Sequence, residues 1–71
     1  MNILETIGTN IRELRIERNL TQRELGAKLG TTEDTISLWE RGLRAPCAEM
    51  LYQLSAFFNV SIDYLFGIGT I

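Results

Sequence analysis

The stretch from Thr21 to Gly42 fits little else than two short helices joined by a tight turn. Thr21 is suited to cap the first helix, and Glu24, three residues on, reaches back to close a capping box. Leu25 and Leu29 lie four apart and share one face. Gly26 stands beside them, where a side chain larger than a methyl group would keep a second helix from crossing closely. Gly30 stops the first helix in the left-handed conformation that glycine adopts without penalty. Thr32 caps the second helix, Ile36 and Trp39 turn inward, and Gly42 ends it.

Two helices at this spacing form the pattern of a helix-turn-helix, whose second helix lies in the DNA major groove. The match extends further. The segments Ile11-Arg-Glu-Leu14, Leu20-Thr-Gln-Arg-Glu-Leu25, Ile36-Ser-Leu-Trp-Glu-Arg-Gly42, Pro46 and Val60-Ser-Ile-Asp-Tyr-Leu-Phe-Gly67 carry it. From about Ile7 to Gly67 the chain resembles the Cro and phage-repressor type of helix-turn-helix domain. The resemblance implies an all-α, five-helix, lambda-repressor-like fold in one domain over residues 1–71, with the motif at about 21–42.

Periodicity and punctuation place helices at about 3–18, 22–29, 33–41, 48–58 and 62–66. Leu4, Ile7, Ile11 and Leu14 recur every three or four residues, Asn2 and Glu5 make a capping box, and Asn19 takes the stop position. Leu43 to Pro46 is a loop, because proline is excluded from a helix interior there. Helix 4 buries Leu51, Leu54 and either Phe57 or Phe58. Asn59 stops it, Ser61 caps the short last helix, and Gly67 ends that one. The core expected from this pattern is Leu14, Leu25, Leu29, Ile36, Trp39, Leu51 and Leu54. Cys47 stands where the resemblance implies a serine-like cap; a thiol is a poor acceptor, which weakens the start of helix 4. As a redox sensor it would have only Arg44 as a cationic neighbour in sequence.

Composition narrows the setting. One cysteine and no histidine leave neither an internal disulfide nor a cysteine–histidine metal site, so no cofactor or metal is expected. The start lacks a basic segment followed by a long apolar run, and no apolar stretch reaches the about 20 residues that span a bilayer. A cytoplasmic setting and no membrane partner are expected. Seven basic residues face nine acidic ones, a formal net charge of −2, which is unusual for a DNA binder.

The resemblance implies roles for individual residues. Gln22, Thr32, Arg41 and Arg44 are expected on the DNA backbone, Gln22 at a helix N-terminus whose free amides suit an anion. Glu33, Asp34, Thr35, Ser37 and Leu38 are expected to meet base edges. The two carboxylates depart from the polar or basic residues of related domains; they repel phosphate, yet can accept from cytosine N4. Arg15 and Glu40 match a largely buried salt bridge between helices 1 and 3, and Trp39 is read as core rather than a stacking platform. The apolar tail offers Tyr64, Phe66, Ile68 and Ile71 for a self-complementary contact.

The leading expectation is a sequence-specific regulator of transcription, in the repressor sense, acting as a homodimer on a paired double-stranded DNA operator. With no further domain in the sequence, no small-molecule ligand is expected. The alternative is a protein-interaction module on the same fold, such as an antitoxin-like or anti-repressor partner, which the net negative charge favours. An enzyme is not expected, since Ser37, Ser55 and Ser61 have no histidine to activate them.

Overall fold

The structure is a computed structural model and describes residues 1–68. Helix α1 runs Ile3–Glu17, α2 Gln22–Leu29, α3 Glu33–Glu40, α4 Ala48–Phe58 and α5 Ile62–Leu65. No strand occurs among the described residues.

Local side-chain hydrogen bonds explain four of the five starts. Asn2 Oδ1 accepts from the Glu5 N–H and Glu5 accepts from the Asn2 N–H, both at 2.9 Å. Thr21 and Glu24 repeat the box at 3.0 and 2.8 Å. Thr32 and Ser61 cap α3 and α5 by accepting from the amides of Thr35 and Tyr64. Cys47 holds the cap position of α4 and makes no side-chain cap bond. The stops are equally local: Asn19, Gly30 and Asn59 have φ of 57°, 74° and 56°. Arg18, Arg41 and Phe66, which the sequence places as last helical residues, are instead C-caps. Their ψ values of 4°, −1° and −3° turn the chain out of the helix while each N–H still bonds backwards.

One apolar cluster unites the helices. Ile7, Ile11 and Leu14 come from α1, Leu25 and Leu29 from α2, and Ile36 and Trp39 from α3. Leu54, Phe58, Val60 and Leu65 close it from behind. Leu51, expected within the core, is half-buried against it, because it lies in the first turn of α4 where the cluster thins out. Phe58 takes the inward place and Phe57 the flank, their rings edge to face.

Polar bonds tie distant segments to this frame. The Asn10 amide donates to the carbonyls of Tyr64 and Leu65 at 3.2 and 3.1 Å, joining α1 to the last turn of α5. Arg18 lies over the Phe57 and Phe58 rings and donates to the Phe58 carbonyl at 3.2 Å. A cation there also complements the C-terminal end of α4. Over Gly26 lies the backbone of the turn rather than the body of α3. An added Cβ would stand 3.0 Å from the Thr32 carbonyl carbon, so even a methyl group is crowded.

Candidate nucleic-acid interface

Helix α3 is packed between α1 and α2 and is held there by three different contacts. Ile36 and Trp39 are buried in the common core, at 0% and 2% exposure. Gly8 lets the α1 backbone come up against the end of α3. A Cβ on Gly8 would collide with the Trp39 carbonyl oxygen and stand 2.9 Å from that of Glu40. Nothing local in the sequence marks Gly8 for this role, because what a helical glycine faces is set by the packing.

The third contact is ionic. Arg15 Nε donates to Glu40 Oε2 at 2.6 Å and Nη2 to Oε1 at 3.1 Å, a fork-on-fork pair. The remaining Arg15 nitrogen, Nη1, donates to the Leu20 carbonyl at 2.8 Å. The two side chains are 13% and 3% exposed. Gln22, first residue of α2 and half-buried, joins them: its Nε2 donates to Glu40 Oε1 at 3.0 Å. One N–H of that amide is therefore committed to the protein. No local pattern in the sequence signals this bond, which spans eighteen residues.

The face of α3 opposite Ile36 and Trp39 carries polar groups. Glu33 and Asp34 are exposed in its first turn, where the helix dipole favours negative charge, and neither has an ion-pair partner among the described residues. The Thr32 and Thr35 hydroxyls bond one another at 3.0 Å. Ser37 and Leu38 are half-buried. Arg41 is exposed and folds back on Ser37, its Nε 3.2 Å from the hydroxyl. Their four-residue spacing is a signal the sequence already contained. Arg44 is exposed in the loop that follows, next to Leu43 at 63% exposure.

Thr32, Glu33, Asp34, Thr35, Ser37, Leu38 and Arg41 thus stand on one helix and its caps, with Gln22 linked to that helix through Glu40. Of the tail residues, Tyr64 and Phe66 are half-buried against the core, and Ile68 is 76% exposed. Ile71 lies outside the described residues. Among the described residues no cluster of metal-ligating side chains occurs, and no helix is long and apolar enough to cross a membrane.

A capped helix, a glycine-ended tight turn and a second helix locked across the first define a helix-turn-helix unit. The family model described as Helix-turn-helix matches residues 11–65, and the chain belongs to that family. Its fold is the five-helix, lambda-repressor-like one. Among similar proteins is the HTH-type transcriptional regulator ImmR of Bacillus subtilis, 37% identical over 62 residues, covering 87% of this chain and 49% of the relative. An HTH-type transcriptional regulator of Archaeoglobus fulgidus is 38% identical over 58 residues, covering 82% of this chain and 83% of the relative. The chain therefore spans about half the first relative and most of the second. Among solved structures, the P22 c2 repressor protein in complex with a synthetic operator superposes with a TM-score of 0.82 at 35% identity. That match covers 89% of this chain and 96% of the other. The family is one of transcription regulators, not of enzymes.

Proposed function

We propose that this chain binds double-stranded DNA in a sequence-specific way and regulates transcription, as a repressor acting as a homodimer on a paired operator. The observation that carries the reading is the seating of α3. Core, glycine contact and ion pair fix its inward side, so its outward row is offered as a rigid surface suited to a groove. The likeness to a repressor held in complex with an operator supports it.

Under this reading Gln22, Thr32 and Arg44 contact the DNA backbone, and Arg41 adds positive charge beside them. Glu33, Asp34, Thr35, Ser37 and Leu38 face base edges. Arg15 and Glu40 are structural, and Tyr64, Phe66, Ile68 and Ile71 serve self-association. The setting is cytoplasmic and no cofactor takes part.

The test is titration of a fluorescent random-sequence duplex pool at low and raised salt, with sedimentation of the protein alone and on DNA. Expected are binding that weakens steeply with salt and two protomers per duplex, with recognition helices about 34 Å apart. A protein that stays monomeric with and without DNA removes the dimer from the proposal. One observation favours a second reading, a protein-interaction module: Glu33 and Asp34 are exposed without a cationic partner among the described residues, in a chain of net charge −2. No duplex binding at low salt, and no retention on heparin, would select that alternative.

A further inference from the structure

The two arginines flanking Gly42 stand differently. Arg44 is exposed in a loop and makes no hydrogen bond within the described residues. Arg41 lies back along α3, with Nε donating to Ser37 Oγ at 3.2 Å and, at the longer distance of 3.4 Å, to the Ser37 carbonyl. The shorter bond goes to the hydroxyl, so this is more than an arginine covering the last carbonyls of its helix.

Helical periodicity puts Asp34, Ser37, Leu38 and Arg41 in one row on the side away from Ile36 and Trp39. Side chains on a helix lean toward its N-terminus, and the Ser37 bond fixes that lean. The guanidinium is thereby carried about one turn, roughly 5 Å, toward the end of α3 that enters the groove in a helix-turn-helix. With Nε held by Ser37, Nη1 and Nη2 remain as a planar pair of donors with no partner among the described residues. That fork fits O6 and N7 of guanine. Asp34, on the same row, forms no ion pair with it.

Resting on the reading of α3 as the groove helix, we propose that Arg41, tethered by Ser37, reads a guanine in the major groove of each half-site. The family resemblance implies a phosphate contact for it; the fold-back assigns it a base. Specificity then comes from the C-terminal half of α3 as well as from the carboxylates at its start.

The experiment is selection of duplexes from a random pool with the full chain, repeated with Arg41→Lys, Arg41→Ala and Ser37→Ala, each checked for an unchanged melting curve. Wild type is expected to enrich guanine at one position per half-site. Arg41→Ala loses about tenfold of the preference at that position alone, and Arg41→Lys loses less. Ser37→Ala loses part of it, because the fork is no longer held. Lysine keeps the charge and a weaker contact to guanine but not the fork, so Arg41→Lys lies between wild type and Arg41→Ala; an Arg41→Lys protein that selects guanine as strongly as wild type overturns the role of the tethered fork. Uniform weakening on every duplex by Arg41→Ala, with an unaltered motif, also overturns it and leaves DNA binding standing. A wild type that enriches nothing and binds no duplex at low salt removes the function proposed above, and this inference with it.

Discussion

Alanine in place of Gly8 would press a methyl group into the Trp39 carbonyl oxygen and within 2.9 Å of the Glu40 carbonyl oxygen, closer than real Cβ atoms come to a neighbour. Neither obstacle is the end of a side chain that can rotate away. Both belong to the α3 backbone, so the methyl fits only if α1 and α3 part. Overpacking costs about 1–3 kcal/mol, and a backbone obstacle puts this case at or above the upper end. Alanine returns about 1 kcal/mol through its better helix propensity. Parting the helices also stretches the Arg15–Glu40 pair, whose 2.6 Å bond spans the same seam. The net expectation is a loss of about 2 kcal/mol. A domain of 71 residues has on the order of 4–10 kcal/mol in total. The midpoint of thermal unfolding should fall by roughly 8–16 °C. Thermal and urea melts followed by far-ultraviolet circular dichroism measure it, with Trp39 fluorescence reporting on the seam. Gly30→Ala is the control: nothing lies within 4 Å of its Cβ, so its positive φ is the only source of loss. That variant should cost about 1 kcal/mol and leave the Trp39 emission unchanged. A Gly8→Ala protein that melts within about 3 °C of wild type, or above it, would refute the close approach.

Glu40→Gln should cost about 3 kcal/mol in urea melts, because it strands the Arg15 guanidinium at 13% exposure. The pair Arg15→Met with Glu40→Leu should recover much of that loss, since no charge is left unpaired. Hydrogen bonds from the Thr21 N–H, then from its hydroxyl, hold the Glu24 carboxyl below its ordinary value of 4.5, helped by nearby Lys28. Its stabilising effect is fully present above that value and is lost as pH falls below it and through the lowered one, so Glu24→Gln should flatten the acid side of the stability–pH curve. Arg44→Ala should weaken all duplexes alike and reduce the slope of log affinity against log salt by about one unit; an unchanged slope would leave Arg44 as a solvated side chain only.

The legible parts of the fold are those whose causes lie within four residues. Asn2 with Glu5, Thr21 with Glu24, and the left-handed Asn19 and Asn59 can each be read without knowing where the rest of the chain goes. The inward row of each helix follows from its own spacing, which is why the all-α core is recognisable. Pairings across the chain are another matter. Gly8 matters because of carbonyls at positions 39 and 40, and Arg18 because the end of α4 comes to lie beneath it. Asn10 finds its acceptors in α5. Each of these residues would be ordinary on an isolated helix. The outward row of α3 is likewise legible from periodicity, whereas the bond that turns Gln22 onto Glu40 exists only once α2 and α3 are packed.

Glu40 is where the fold and the proposed function meet. Its Oε2 accepts from Arg15 Nε, and its Oε1 from both Arg15 Nη2 and Gln22 Nε2. At 3% exposure these N–H groups supply nearly all of its solvation, and a carboxylate deprived of donors in such a place is costly. If Gln22 turned its amide wholly toward a phosphate, Oε1 would be left with only the 3.1 Å bond from Arg15. An amide nitrogen carries two N–H groups, so one suffices for Glu40 and the other is left for a second acceptor. Under the proposed role, Gln22 therefore grips the backbone only in the orientation that the ion pair dictates. The α1–α3 seam is thereby coupled to the N-terminus of α2. A double-mutant cycle between Glu40→Gln and Gln22→Ala, read in both urea melts and duplex affinity, measures that coupling. Non-additive losses in both readouts are expected. Additivity in affinity alone would mean that Gln22 reorients freely when it binds, and that the bond to Glu40 serves the unbound fold only.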